Sequence, residues 1–187
     1  MTFDDIKTPN ELLEFMKNNI RYGFLGKNGK KYYDQYSEEW NDWNSECIVQ
    51  SGEGVLNSNI GTCWDQVELE RLWFEKNNYN FKTIFMWFEV GRECNLPTHT
   101  FLLFENDNKW YWFVNSFEMY RGIHEYNSFE EAIEDVKSKQ IEFTSKNYKD
   151  FSEKDKQTLV SYEYTKPTPD IGVDDYLAFV TGNNYML

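Results

Sequence analysis

Three side chains have the types needed for a thiol nucleophile and its proton acceptor. Cys63 lies in Gly-Thr-Cys-Trp-Asp, His99 in Thr-His-Thr-Phe, and Asn115 ends Trp-Tyr-Trp-Phe-Val-Asn. A thiol attacks a carbonyl as its thiolate, and an imidazole can take the thiol proton. A third polar side chain can hold that imidazole in the right tautomer. Together they form a candidate Cys-His-Asn triad for acyl transfer from an amide.

The residues around Cys63 predict the start of an α-helix. Thr62 is a suitable N-cap, and Asp65, three residues later, can complete a capping box. Apolar residues then recur at helical spacing to about Tyr79. A cysteine in the first turn faces unpaired backbone N–H groups and the positive end of the helix dipole, which favour the thiolate. The alternative interpretation is that Cys63 is a small buried core residue.

His99 and Asn115 lie on two predicted strands, 99–105 and 110–115, that a turn at Asn106-Asp107-Asn108 joins. A turn of three residues would pair His99 with Asn115 across the hairpin, with both side chains on one face. The amide oxygen of an asparagine can accept a hydrogen bond from an imidazole N–H, as a carboxylate does. The alternative for His99 is a histidine of the core or of a sheet edge.

Other patterns indicate an α+β fold, with a single domain spanning residues 1–187. The helix that bears Cys63 is expected to pack on an antiparallel sheet that bears His99 and Asn115. The remaining expected elements are a helix from Thr8 that ends near Tyr22, a hairpin at Asn28-Gly29, a strand over 81–90, a helix from Ser128 to about Lys139, a strand over 140–144, a short helix from Ser152, a strand over 160–165 and a helix over 173–179.

The composition excludes several function classes. A net charge of -13 argues against nucleic-acid and anionic-membrane partners, because phosphate contacts need clustered Lys and Arg. No signal pattern or apolar run of membrane-spanning length occurs. The 7 Trp, 13 Tyr and 15 Phe can fill a core without a cofactor. The 2 His and 3 Cys have no metal-ligand spacing, so no metal is expected and a cytoplasmic, reducing setting fits.

The segments around Cys63, His99 and Asn115 together resemble the core of the transglutaminase-like superfamily, a relative of the papain fold. In that family a Cys begins a buried helix, and a His and usually an Asp lie on adjacent antiparallel strands. The resemblance is close over residues 61–115 and looser over about 8–140, which implies a C-terminal extension at about 141–187. Asn115 stands where the family usually has Asp, although papain-like enzymes use Asn in that role.

The resemblance implies a cysteine-dependent acyltransferase or hydrolase whose substrate is a peptide or protein amide. Cys63 would attack the amide carbonyl, His99 would carry the proton, and Asn115 would orient His99. Water as the acyl acceptor gives a peptidase or amidase, and an amine gives a transglutaminase. The alternative is a catalytically inactive module that keeps the fold and binds peptide or protein.

Further candidates surround this triad. The indoles of Trp64 and Trp43 could donate to an oxyanion, and Arg121 could bind a substrate carboxylate. Core packing is the alternative for each indole, and pairing with nearby acids is the alternative for the arginine. Glu68 and Glu70 are expected on the exposed side of their helix.

Overall fold

The computed structural model describes residues 2–33, 37–90 and 96–182. The helices in chain order are α1 (Pro9–Asn19), α2 (Trp43–Glu46), α3 (Gly52–Ser58), α4 (Cys63–Lys76), α5 (Phe129–Asn147), α6 (Glu153–Lys156) and α7 (Val173–Val180). The strands are β1 (Arg21–Tyr22), β2 (Phe24–Leu25), β3 (Lys31–Tyr32), β4 (Ile48–Val49), β5 (Ile60–Gly61), β6 (Asn80–Phe88), β7 (His99–Asn106), β8 (Lys109–Val114), β9 (Gly122–Tyr126), β10 (Leu159–Tyr164) and β11 (Ile171–Gly172).

A five-stranded sheet in the order β10-β6-β7-β8-β9 forms the centre of the fold, and every neighbouring pair in it is antiparallel. Short two-stranded ladders, β1 with β5, β2 with β3 and β4 with β11, lie outside it. The expected α+β class is therefore confirmed. The sheet includes β10, so the segment expected as a C-terminal extension contributes an edge strand.

The two faces of the sheet pack against different helices, because side chains alternate along each strand. Leu102 and Phe104 of β7 belong to the same buried cluster as Trp73 and Phe74 of α4. Phe101 and Leu103 belong to a second buried cluster with Ala132 and Val136 of α5. The helix that begins at Cys63 thus covers one face of the sheet, and α5 covers the other.

Two helix starts follow the capping signals of the sequence. The Thr8 hydroxyl accepts from Glu11 N, and Glu11 accepts in return from Thr8 N, which fixes the first turn of α1. The start of α4 at Cys63, after the N-cap Thr62, is likewise confirmed. Both helices end earlier than expected, α1 at Asn19 and α4 at Lys76. The first gives way to strand β1, which pairs with β5.

The β7–β8 hairpin has a register one residue away from the prediction. Its turn contains two residues rather than three, since Asn106 pairs directly with Lys109. Asp107 (φ 49°) and Asn108 (φ 61°) are both left-handed, as a tight two-residue hairpin turn requires. The predicted cross-strand pair of His99 with Asn115 is therefore wrong. Extended by two residues, this register places Thr100 rather than His99 at the level of Asn115. The His99 side chain lies with Met86 and Phe101 on the face that α5 covers, whereas Asn115 bonds to Gln66 of α4 on the other face, so the two side chains do not share a face as predicted.

The predicted strand over 140–144 is also wrong, because α5 continues to Asn147. Its buried residues recur every four positions: Ala132, Val136, Gln140 and Thr144. The last two are polar but paired, since Gln140 Nε2 donates to the Pro97 carbonyl and the Thr144 hydroxyl donates to the Gln140 carbonyl. In the described part of the chain, no helix has both the length and the apolar character to cross a membrane.

Candidate active site

A cavity of about 450 Å³ opens at the end of the sheet where β7 begins and β8 ends. Cys63, His99 and Asn115 all line it, although they lie at the start of α4, at the start of β7 and just after β8. The β7–β8 ladder stops at Leu102–Phe113, whereas β6 stays paired with β7 as far as His99. The first residues of β7 therefore extend beyond the last β8 residue that pairs with them. The cavity lies beside this unpaired edge of β7.

Cys63 is fixed by the cap of α4. The Asp65 carboxylate accepts from Thr62 N (2.8 Å) and Thr62 Oγ1 (2.9 Å), and its other oxygen accepts from Gln50 N (2.8 Å). Burial raises the pKa of Asp65 to about 6, although these hydrogen bonds act in the opposite direction. As expected from the sequence, this carboxylate serves the helix start.

Burial and backbone hydrogen bonds shift the pKa of the Cys63 thiol in opposite directions. Burial raises the pKa of the Cys63 thiol to about 12, and the nearby Asp65 carboxylate adds to the rise. Backbone N–H groups of Thr100, Trp64 and Cys63 itself face the sulfur and lower the pKa. The thiol is thus protonated at rest, yet it lies among N–H groups that can stabilise a negative charge once one forms.

His99 is 4% exposed and packs among aromatic rings. Its imidazole stacks on Phe101, with ring centroids 5.5 Å apart, and meets Phe117 edge-on at 5.0 Å. Burial lowers the pKa of His99 to about 3, so the resting imidazole is neutral and can accept a proton. Its Nε2 is buried and has no hydrogen-bond partner among the described residues.

Asn115 is held at both its backbone and its side chain. Its carbonyl accepts from Arg121 Nε (3.1 Å), and its Nδ2 donates to Gln66 Oε1 (2.8 Å). Gln66 Nε2 donates in turn to the Gly61 carbonyl (2.9 Å). Within the described chain, Asn115 Oδ1 is buried without a partner, like His99 Nε2. Among the hydrogen bonds of the described residues, none joins Cys63 to the His99 ring.

Gln66 is a site residue that the sequence interpretation missed. It lines the cavity and follows Cys63 by one helical turn on α4. The spacing of three residues between Cys63 and Gln66 indicates a shared helix face, so the sequence contained a signal for Gln66 as a site residue.

The other predicted site residues divide into two groups. The Trp64 ring stacks on Tyr176 (centroids 4.4 Å) and touches Trp43 (5.0 Å), so both indoles pack in the aromatic core. Arg121 does line the cavity, where its Nη1 lies 3.9 Å from the Glu118 carboxylate. The geometry therefore supports the arginine as a cavity residue and supports core packing for the tryptophans.

Several exposed apolar side chains line the cavity. Among the described residues, four large apolar side chains are exposed, and three of them line this cavity: Tyr22 (39%), Tyr33 (40%) and Met119 (55%). Phe117 and Phe143 line it as well. Exposed apolar groups that cluster at a cavity are typical of a surface that receives a ligand or a partner.

Glu68 and Glu70 are buried, which corrects the expectation that they lie on an exposed helix face. The sheet and α3 enclose α4 on different sides, so few of its positions reach solvent. Arg71 Nε donates to Glu68 (2.9 Å), yet burial still raises the pKa of Glu68 to about 7. Burial also raises the pKa of Glu70 well above its ordinary value, and the neighbouring Glu68 adds to the rise.

In comparisons with known protein families, curated proteins and solved structures, none matched this chain. Among the described residues there is no group of three or more His, Cys, Asp or Glu side chains that could hold a metal ion.

Proposed function

We propose that the protein is a cysteine-dependent acyltransferase or hydrolase that acts on a peptide or protein amide and has a transglutaminase-like core. One observation carries the proposal. Cys63, His99 and Asn115, which lie far apart in the sequence, line one cavity. The N-terminus of α4 against an antiparallel sheet supports the papain-like comparison. A free thiol also suits the proposed cytoplasmic setting.

The proposed reaction begins when the Cys63 sulfur attacks the amide carbonyl carbon while the thiol proton passes to His99. The backbone N–H groups of Trp64 and Thr100 stabilise the negative charge that develops near the sulfur. The C–N bond breaks, and the leaving amine takes the proton from His99, which leaves a thioester on Cys63. Water or a second amine then loses a proton to His99, attacks the thioester carbonyl and restores the thiol.

The cavity mouth favours a polypeptide substrate with an apolar side chain near the reacting amide. Tyr22, Tyr33 and Met119 offer an exposed apolar surface to such a side chain. The net charge of -13 disfavours acidic partners, so a neutral or basic segment fits this face best.

The second candidate is a module that binds peptide at this cavity without chemistry. Burial, aided by the Asp65 carboxylate, raises the pKa of the Cys63 thiol, and burial lowers the pKa of the His99 imidazole, so both groups are neutral at rest. In this state the described residues show no hydrogen bond between them. A binding module would use the same apolar mouth.

Alkylation by iodoacetamide, mapped by peptide mass spectrometry, separates the two functions. If His99 takes the proton from Cys63, the thiol reacts below pH 8, and His99→Ala removes this reactivity. Cys47 is the comparison thiol, because it is 1% exposed and burial raises its pKa too; Cys94 lies outside the described residues. Equal, slow labelling of Cys63 and Cys47, unchanged by His99→Ala, would support the binding module instead.

A further inference from the structure

Arg121 brings a positive charge to the wall of the cavity and is held there by a buried acceptor. Its Nε donates to the carbonyl of Asn115 (3.1 Å), a residue that is 2% exposed. Nη1 lies 3.9 Å from the carboxylate of Glu118, which is beyond hydrogen-bond distance, and the Glu118 side chain is 86% exposed. Within the described chain no hydrogen bond engages Nη1 or Nη2, so both nitrogens keep donors for an anion.

Apolar side chains surround this charge in the cavity wall. Among the described residues that line the cavity, Arg121 is the only lysine or arginine and Glu118 is the only carboxylate. Phe117 and Met119, from the same short segment of the chain, line the wall with them. Phe117 meets Phe143 of α5 edge-on, with ring centroids 5.0 Å apart. One arginine beside apolar side chains suits a ligand that carries a carboxylate and an apolar group close together.

We propose that this cavity binds the C-terminus of a peptide whose last side chain is apolar, and that Arg121 recognises the free carboxylate. An apolar C-terminal residue carries both groups on one Cα, whereas an acidic side chain brings a carboxylate without an apolar group. A guanidinium offers paired N–H donors that match the two oxygens of a carboxylate, and here Nη1 and Nη2 form the available pair. The inference goes beyond the proposed function, because binding needs no reaction at Cys63.

The charge and the size of the cavity both limit the ligand. The net charge of -13 disfavours a peptide with several acids, but a single carboxylate in contact with Arg121 is attracted locally, and charges farther than about 8–10 Å are largely screened. The rest of the peptide is therefore neutral or basic. A cavity of about 450 Å³ has the size of a small-ligand site, so it encloses a chain end rather than a long segment.

Four acetylated tetrapeptides test the proposal by isothermal titration calorimetry. The first, acetyl-Gly-Ser-Gly-Leu, has a free C-terminal carboxylate, and the second is its C-terminal amide. The third, acetyl-Gly-Ser-Glu-Leu amide, carries its carboxylate on a side chain, and the fourth, acetyl-Gly-Ser-Gly-Gly with a free carboxylate, lacks the apolar side chain. All are titrated into the full chain carrying Cys63→Ala, so that turnover cannot consume them.

We expect the first peptide to bind about tenfold more tightly than each of the other three. This is the size expected when a charge-assisted hydrogen bond, or the burial of one apolar side chain, is lost at a partly exposed site. Equal affinities for the free acid and its amide would overturn the proposal. Equally tight binding of the third peptide would show that the site recognises an acidic side chain, and equally tight binding of the fourth would remove the apolar requirement, so either result overturns the proposal as well.

Substitutions of charged residues then assign the preference for the free acid to a contact. Arg121→Gln should lower the affinity for the free acid to that of the amide and leave the amide unaffected. Arg121→Lys should keep part of the preference, since an ammonium keeps the charge but not the paired donors. Glu118→Gln should tighten binding of the free acid a few-fold, because it removes the competing carboxylate near Nη1.

Arg21→Gln is the matched control for the loss of one positive charge. The Arg21 guanidinium lies 4.0 Å from the ring centroid of the cavity residue Tyr33 but does not itself line the cavity, so the preference should be unchanged. A preference that survives Arg121→Gln would overturn the proposal. If Arg121→Gln does not fold, Arg121→Lys and Glu118→Gln decide, and wild-type affinities for both overturn it. Acyl transfer is tested separately, by alkylation of Cys63 and by acyl-enzyme formation, so the two ideas can fail independently.

Discussion

The backbone N–H of Thr100, on β7, faces the sulfur of Cys63 at the start of α4. This relationship joins the helix N-terminus to the sheet at the cavity. It depends on the β7–β8 ladder ending at Leu102–Phe113, before it reaches Thr100. The sulfur therefore lies between N–H groups from a helix and from a strand, an arrangement suited to a developing negative charge.

Replacing Cys63 by alanine should abolish any acyl transfer and leave the fold intact. No other thiol of the described chain lines the cavity, and the loss of one small side chain changes the unfolding free energy by about 1 kcal/mol. Turnover of an amide or ester substrate and urea denaturation measure the two effects. Wild-type turnover in the variant would show that the nucleophile lies elsewhere.

Removing the Asp65 carboxylate should destabilise the site as well as the helix. Asp65→Ala leaves buried N–H groups of Thr62 and Gln50 without their acceptor, which costs about 1–3 kcal/mol. Asp155→Ala is the matched control, because Asp155 forms the same capping motif with Ser152 on the exposed helix α6. Asp155→Ala should lower the unfolding free energy, measured by urea denaturation, by less than Asp65→Ala does. Equal losses for the two variants would contradict the importance of burial at Asp65.

The buried acids of α4 should give the protein an unusual pH dependence. Burial raises the pKa of Asp65 to about 6 and of Glu68 to about 7, so the folded state holds protons that the unfolded chain releases. The unfolding free energy should therefore fall as pH rises from about 5 to about 8. Because burial also raises the pKa of Glu70, Glu70→Gln should reduce this fall and stabilise the protein at about pH 8.

Urea denaturation of the wild type and Glu70→Gln at several pH values tests this. Glu75→Gln, at an exposed position of the same helix, is the control and should leave the slope unchanged. A wild type whose stability increases steadily with pH over this range would contradict the account of the buried acids.

The C-terminal helix α7 should be essential to the site. Tyr176 is fully buried, stacks on Trp64 at 4.4 Å and lies 3.4 Å, oxygen to oxygen, from the Thr100 hydroxyl. Tyr176→Ala should cost about 3–5 kcal/mol in denaturation, as other large-to-small aromatic changes do. Phe179→Ala on the same helix should cost little, because Phe179 is 41% exposed. Similar costs for both would mean that α7 is not anchored through Tyr176.

Local signals in the sequence predicted the elements that carry the site. The caps at Thr8 and Thr62 and the turn near Asp107 each involve residues within a few positions of one another. The register was missed by one residue because Asp107 and Asn108 can both adopt the left-handed conformation, which permits a two-residue turn. One residue of error decides which residue of β7 lies opposite Asn115.

Long-range partners account for the remaining differences. The helix from Ser128 was expected to end at about Lys139 and a strand to follow over 140–144, but the helix continues and its buried Gln140 is satisfied by Pro97, far away in sequence. Gln66 drew no prediction, because its partner Asn115, just after β8, is far away in sequence. The i,i+3 spacing of Glu68 and Arg71 is equally typical of an exposed helix face, and only the long-range packing of α4 against the sheet and α3 places this ion pair in the core.

Formation of an acyl-enzyme tests the central claim most directly. The protein is mixed with p-nitrophenyl acetate, and the burst of p-nitrophenol is followed while intact and peptide masses locate the acetyl group. The account predicts a burst of about one equivalent per protein with the acetyl group on Cys63, and loss of both in Cys63→Ala and in His99→Ala. Absence of a burst, or acetylation that never reaches Cys63, would contradict it.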